Sequence, residues 1–101
     1  MHLSTYVVKK TLKVSYNTFE VILNMYNDTL DPVKVGKTIS FFRQQKGISQ
    51  EVLSGLADIG RSHLSAIERG ERKPTLETFY KICNALDVKM STVISKLEDT
   101  L

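Results

Sequence analysis

The chain has 101 residues, 42% of them hydrophobic and 25% charged, a balance ordinary for a soluble globular protein with one small core. That size excludes most cofactor-dependent catalytic folds, no apolar run approaches the ~18–20 residues of a membrane span, and Met1-His2-Leu3-Ser4-Thr5 lacks the charged-then-apolar layout of a secretory leader. The net charge of +3 is concentrated: residues 34–73 hold eight Lys/Arg against four Asp/Glu, residues 1–33 balance, and residues 74–101 are slightly acidic, so the middle of the chain is where a polyanionic partner would bind.

In chain order, residues 1–31 read as an extension ahead of a main domain at 32–101. Thr5, Val7, Val8, Thr11 and Val14 favour strand. Asn17-Thr18-Phe19-Glu20 fits a capped helix start, with Phe19, Ile22, Leu23 and Tyr26 on one stripe. Phe19, Val21, Leu23 and Met25 also alternate, so a hairpin turning at Asn17-Thr18 competes with the favoured strand-then-helix reading.

From Asp31 the punctuation is dense. Asp31 is a good N-cap and Pro32 suits the first helical position. Val35, Ile39 and Phe42 recur at helical spacing, and Gly47 can take the left-handed stop, so the first helix covers about 32–46. Ser49 caps a short second helix that ends near Ala57-Asp58. A third helix covers about 61–69 and closes at Gly70. Pro74-Thr75 starts a fourth, with Leu76, Phe79, Ile82, Cys83 and Leu86 on one face. A fifth starts near Met90, with Val93, Ile94 and Leu97 apolar. The domain is therefore expected to be all-α.

Catalytic and metal-binding patterns are scarce. The single cysteine, Cys83, cannot form an internal disulfide, points to a reducing cytoplasmic setting, and sits on an apolar helical face as a small core residue. With His2 and His63 it makes a poor zinc set. Gly36-Lys37-Thr38 looks like the end of a phosphate-binding P-loop, but the upstream glycine that motif requires is Asp31 here, followed by Pro32. No Gly-x-Ser-x-Gly elbow occurs. The expectation is a protein that is not an enzyme and needs no cofactor or metal.

The stretch Gln50–Arg69 carries the most information. Leu53, Ala57, Ile59, Leu64 and Ile67 are apolar where two short helices crossing steeply would meet, and Ser54 is small enough for close approach. Arg61, Ser62, Ser65 and Arg69 fill the outer face of the second helix. Such a helix can enter the ~12 Å major groove and present its N-terminal side chains to base edges.

Residues 35–94 resemble the Cro and phage-repressor, or Xre-type, helix-turn-helix family. The resemblance is carried by Lys46-Gly47-Ile48-Ser49-Gln50-Glu51, by Leu64-Ser65-Ala66-Ile67-Glu68-Arg69-Gly70, by Lys73-Pro74-Thr75-Leu76-Glu77, and by Ala85-Leu86-Asp87-Val88. Within that family, Arg61–Ser65 with Ile67–Arg72 is similar to restriction–modification controller proteins. The resemblance implies a five-helix lambda-repressor-like fold. Two residues depart from the pattern: Asp58 replaces the usual turn glycine, and Gly60 replaces the polar cap before the recognition helix. Asp tolerates a left-handed backbone better than most residues, so the turn is expected to survive.

The resemblance also implies roles. Arg61, Ser62, Ala66 and Arg72 would face DNA bases, and Arg61 could pair bidentately with guanine. Gln50, Ser65, Arg69, Lys73, Lys37 and Lys46 would contact phosphates, Gln50 from a helix N-terminus. His63 sits where groove-edge packing and DNA contact are equally open. Arg43 and Glu68 would form an ion pair between the first and recognition helices. The implied function is a sequence-specific transcriptional regulator acting as a homodimer on a pseudo-palindromic double-stranded operator, with recognition helix 61–69 in the major groove and Val93, Ile94 and Leu97 as the expected dimer surface. The competing reading is a protein-interaction module, antitoxin-like or a scaffold, that uses the N-terminal extension.

Overall fold

The computed structural model describes residues 30–99, and these contain five helices and no strand: α1 (Pro32–Gln45), α2 (Gln50–Ala57), α3 (Arg61–Glu68), α4 (Leu76–Ala85) and α5 (Met90–Asp99). The strand-then-helix expectation for residues 1–31 lies outside the described residues, apart from the last two. Each helix begins and ends where local chemistry directs. The Asp31 carboxylate accepts from the Val33 N–H at 2.9 Å, with Pro32 at the first helical position. The Ser49 hydroxyl accepts from the Val52 N–H at 3.1 Å. Gly60 offers α3 no side-chain cap. Thr75 accepts from the Thr78 N–H at 3.1 Å and is itself the cap, so α4 starts at Leu76 rather than at Pro74.

Four of the helices stop in the same way. A residue with positive φ follows the last turn, and the next N–H reaches back five residues: Ile48 to Arg43 at 3.4 Å, Ile59 to Ser54 at 3.0 Å, Glu71 to Ala66 at 2.9 Å, and Val88 to Cys83 at 3.1 Å. This pairing satisfies carbonyls that a helix end leaves open. The left-handed residues are Gly47, Asp58, Gly70 and Asp87. Asp58, with φ 55°, thus takes the conformation that the turn needs in place of glycine.

The core gathers Val35, Ile39 and Phe42 of α1, Leu53 and Ala57 of α2, Leu64 and Ile67 of α3, Phe79, Ile82 and Cys83 of α4, Leu86, and Val93 and Leu97 of α5. Ile48, Ile59, Ala85, Val88 and Met90 pack around it. Leu76 was expected on the buried face of α4 but is 75% exposed, because it stands in the first turn, beyond the reach of the core. Helix α1 packs against α3 and α5, α2 against α3 and α4, and α4 against α5. Among the described residues no helix is long and apolar enough to cross a membrane, and no cluster of His, Cys, Asp and Glu could hold a metal ion.

Candidate nucleic-acid interface

Helix α3 is seated by its inner face. Leu64 and Ile67 are fully buried, and Leu53, Ser54 and Ala57 of α2 close against them. Ser54 is small enough for that approach, and its hydroxyl donates to the Glu51 carbonyl at 3.0 Å. Against α1 the approach is closer still. A Cβ at Gly36 would stand 2.3 Å from the Ile67 carbonyl oxygen and 2.6 Å from that of Glu68. Only a residue without a side chain lets α1 rest on the end of α3. Residues 36–38 therefore serve packing: Gly36 is the contact, and the buried Thr38 returns its hydroxyl to the Lys34 carbonyl at 2.8 Å.

One polar cluster locks this seat. Arg43 donates from Nε and Nη2 to the two Glu68 oxygens at 2.8 and 3.0 Å, and from Nη1 to the Ile48 carbonyl at 2.9 Å. Gln50 Nε2 donates to the same carboxylate at 3.1 Å. The Glu68 side chain is only 5% exposed and that of Arg43 14%, so both charges are removed from water and answered by each other. The expected Arg43–Glu68 pair is thus present, and it ties α1, the loop after it, the start of α2 and the end of α3 together.

The outer face carries the residues expected to meet DNA. Arg61, Ser62 and Arg69 are exposed, while Ser65, Ala66 and His63 are half-buried along the same helix. Arg72 and Lys73 are exposed in the loop after α3, and Lys46 is exposed at the end of α1. Gln50 sits at the start of α2, with its amide nitrogen already committed to Glu68. Arg69 and Ser65 are joined to each other, Arg69 Nη1 donating to the Ser65 hydroxyl. Arg69 also donates to Glu71 from Nε at 2.6 Å and from Nη2 at 3.1 Å. The Glu71 carboxylate holds the Arg69 guanidinium above its ordinary pKa, and Arg69 holds Glu71 below its own.

Three expected residues lie elsewhere. Lys37 follows Gly36 by one position, about 100° around the helix. It lines a shallow hollow with Lys34, Thr38, Phe41 and Lys96, on the α5 side of α1. There Lys96 Nζ stands 4.5 Å from the centre of the Phe41 ring. Val93 and Leu97, expected at a dimer surface, are 2% and 4% exposed inside the core, because they meet α1 and α4 of their own chain. Of that trio only Ile94 is exposed. Burial pushes the Cys83 thiol up to about 11, in keeping with its place in the core.

Sequence reading missed Gly36 and Glu71. Gly36 shares a face with Arg43, seven residues on, and that spacing was the available signal. For Glu71 nothing in the periodicity of α3 signalled a role, because it lies beyond the helix and is brought back only by the turn at Gly70.

The helix-turn-helix family model matches residues 39–93. A curated HTH-type transcriptional regulator of uncharacterized role, y4dJ of Sinorhizobium fredii, is 32% identical over 66 residues, which is 65% of this chain and 86% of that protein. The chain spans 60% or less of the length of four other curated regulators that it matches. The crystal structure of the restriction-modification controller protein C.AhdI from Aeromonas hydrophila superposes with a TM-score of 0.62 at 35% identity, covering 64% of this chain and 98% of that one. The controller protein C.Esp1396I, as a tetramer in complex with its natural 35 base-pair operator, superposes at 0.66 with 28% identity, over 71% of this chain and 95% of that one.

Proposed function

We propose, for a chain that belongs to the Xre-type helix-turn-helix family of DNA-binding transcriptional regulators, that it recognises a specific pseudo-palindromic operator as a homodimer. The observation that carries this is the contrast between the two faces of α3. Its inner side is fixed by Gly36, Leu64, Ile67 and the Arg43–Glu68–Gln50 cluster, while its outer side offers Arg61, Ser62, Ser65 and Arg69. A firmly seated helix with polar side chains on its outer face is what base readout in the major groove requires.

In this reading Arg61 and Ser62, at the start of α3, reach base edges. Ala66 lies against a base without a hydrogen bond, and Arg72 reaches in from the following loop. Ser65, Arg69, Lys73 and Lys46 hold phosphates, together with Gln50 in the first turn of α2. In sequence, residues 1–31 are an extension that precedes this module. A single module reads too few bases to find one site, so pairing of two copies is part of the proposal. The operator complex of C.Esp1396I is a precedent for assembly on DNA within the family.

Selection of bound duplexes from a random library tests the proposal. A motif of two inverted half-sites, centred about 10 base pairs apart, is the expected outcome. Recovery of DNA with no enriched motif would overturn it and favour the protein-interaction reading.

A further inference from the structure

Arg69 ends in a closed set of partners, and Glu71, which the reading above leaves unused, supplies two of the three contacts. The Nε and Nη2 edge of the guanidinium faces the carboxylate, and Nη1 faces the Ser65 hydroxyl. This edge is the two-pronged donor set that a phosphate would take, because carboxylate and phosphate fit the same fork. The position of Glu71 is fixed by the backbone. Gly70, at φ 79°, folds the chain back, and a Cβ there would stand 2.8 Å from Val33, so α1 holds the turn in place.

We propose that Glu71 competes with DNA phosphate for Arg69, and so sets both the affinity and the salt sensitivity of DNA binding. The inference rests on the DNA-binding reading and adds to it a residue that opposes binding. Arg69 and Glu71 are 54% and 60% exposed, so water and salt screen their pair and an incoming phosphate can exchange for the carboxylate. The exchange is not free of consequence for ions. Phosphate sheds a condensed cation when it meets Arg69, but the released Glu71 carboxylate gathers one from solution. The Arg69 contact therefore contributes less to salt dependence than a bare arginine would.

The test uses the full chain, a duplex of about 30 base pairs recovered from it by random-library selection, and fluorescence anisotropy across salt from about 0.05 to 0.3 M. Glu71→Gln should bind on the order of two- to five-fold more tightly at the low-salt end. Its plot of log K against log salt should be steeper by up to about 0.9 for each recognition helix engaged. Both effects should vanish when Arg69→Met is already present. Circular dichroism melts of each variant should superpose on the parent, since both side chains lie on the surface. Equal or weaker binding by Glu71→Gln overturns the proposal. So does a gain that persists beside Arg69→Met, which would make Glu71 a plain repulsive charge. A parent chain that binds no duplex overturns the DNA-binding reading, and this proposal with it; a parent that binds while Glu71→Gln is unmoved overturns this proposal alone.

Discussion

Glu68 carries three hydrogen bonds on one carboxylate and is the most heavily committed side chain at the base of the recognition helix. Glu68→Ala leaves the Arg43 guanidinium nearly buried with only the Ile48 carbonyl for company. The loss is expected to be about 3 kcal/mol, the range for breaking a buried pair. In a domain of this size that lowers Tm by on the order of 10–20 °C, measurable by circular dichroism. Replacing both partners by apolar residues of similar volume should recover much of the loss. Arg61 and Lys73 divide differently. Arg61→Ala should relax preference at one base pair of each half-site, costing about 1–3 kcal/mol there, whereas Lys73→Ala should weaken binding to all sequences alike. Quantitative binding to single-base operator variants separates the two. The ion pair was legible in the sequence only through the family pattern. Its third member, Gln50, was not legible as such, because a polar residue at a helix start carries no mark that its amide will also meet a buried carboxylate.

The elements themselves were plain in the sequence, because their ends are written in short-range chemistry. Asp31, Ser49 and Thr75 mark starts, and Gly47 and Gly70 mark stops. Helix contacts were less plain. The apolar period tells which side of a helix is covered but not by which chain segment. Val93 and Leu97 were therefore expected at a dimer surface although they belong to the core, and Leu76 was expected on the buried face although it is 75% exposed. Close approach leaves even less trace, since a glycine in a helix has several uses. The α1–α3 contact makes a direct prediction. Gly36→Ala, a change that favours an isolated helix by about 1 kcal/mol, should here destabilise the domain by more than that gain, because the new methyl meets backbone that cannot turn aside. Urea unfolding measures the sign, and a stabilised variant would show that α1 can shift away from α3 without loss.

At the scale of the five-helix domain, α1 and α4 both join the α2–α3 pair to α5, α1 by touching α3 and α5, α4 by touching α2 and α5. The proposed pairing of two copies must use side chains that the monomer leaves uncovered, and the large apolar one on α5 is Ile94, 38% exposed, rather than the buried Val93 and Leu97. A contact across a two-fold axis repeats itself, so one charge placed there meets its own copy. Ile94→Glu is expected to leave the monomer's melting curve near that of the parent, to convert a dimer to monomer in sedimentation, and to reduce operator affinity strongly while leaving weak salt-driven binding to random DNA. A dimer that survives the substitution would move the pairing surface off this part of α5.

The two aspartates with left-handed backbones impose a trade-off of their own. Each ends a helix by supplying a tolerated φ, and each sets a negative charge against the negative pole of the helix it ends. Asparagine keeps the backbone preference and discards the charge. Asp58→Asn with Asp87→Asn should therefore raise stability by a few tenths of a kcal/mol at each site. The pair also takes the net charge from +3 to +5, with one of the two added units at the turn that leads into the recognition helix. On that one double variant both the melting temperature and the affinity for DNA should rise, the outcome expected if these turns trade stability and binding for an acidic side chain at each helix end.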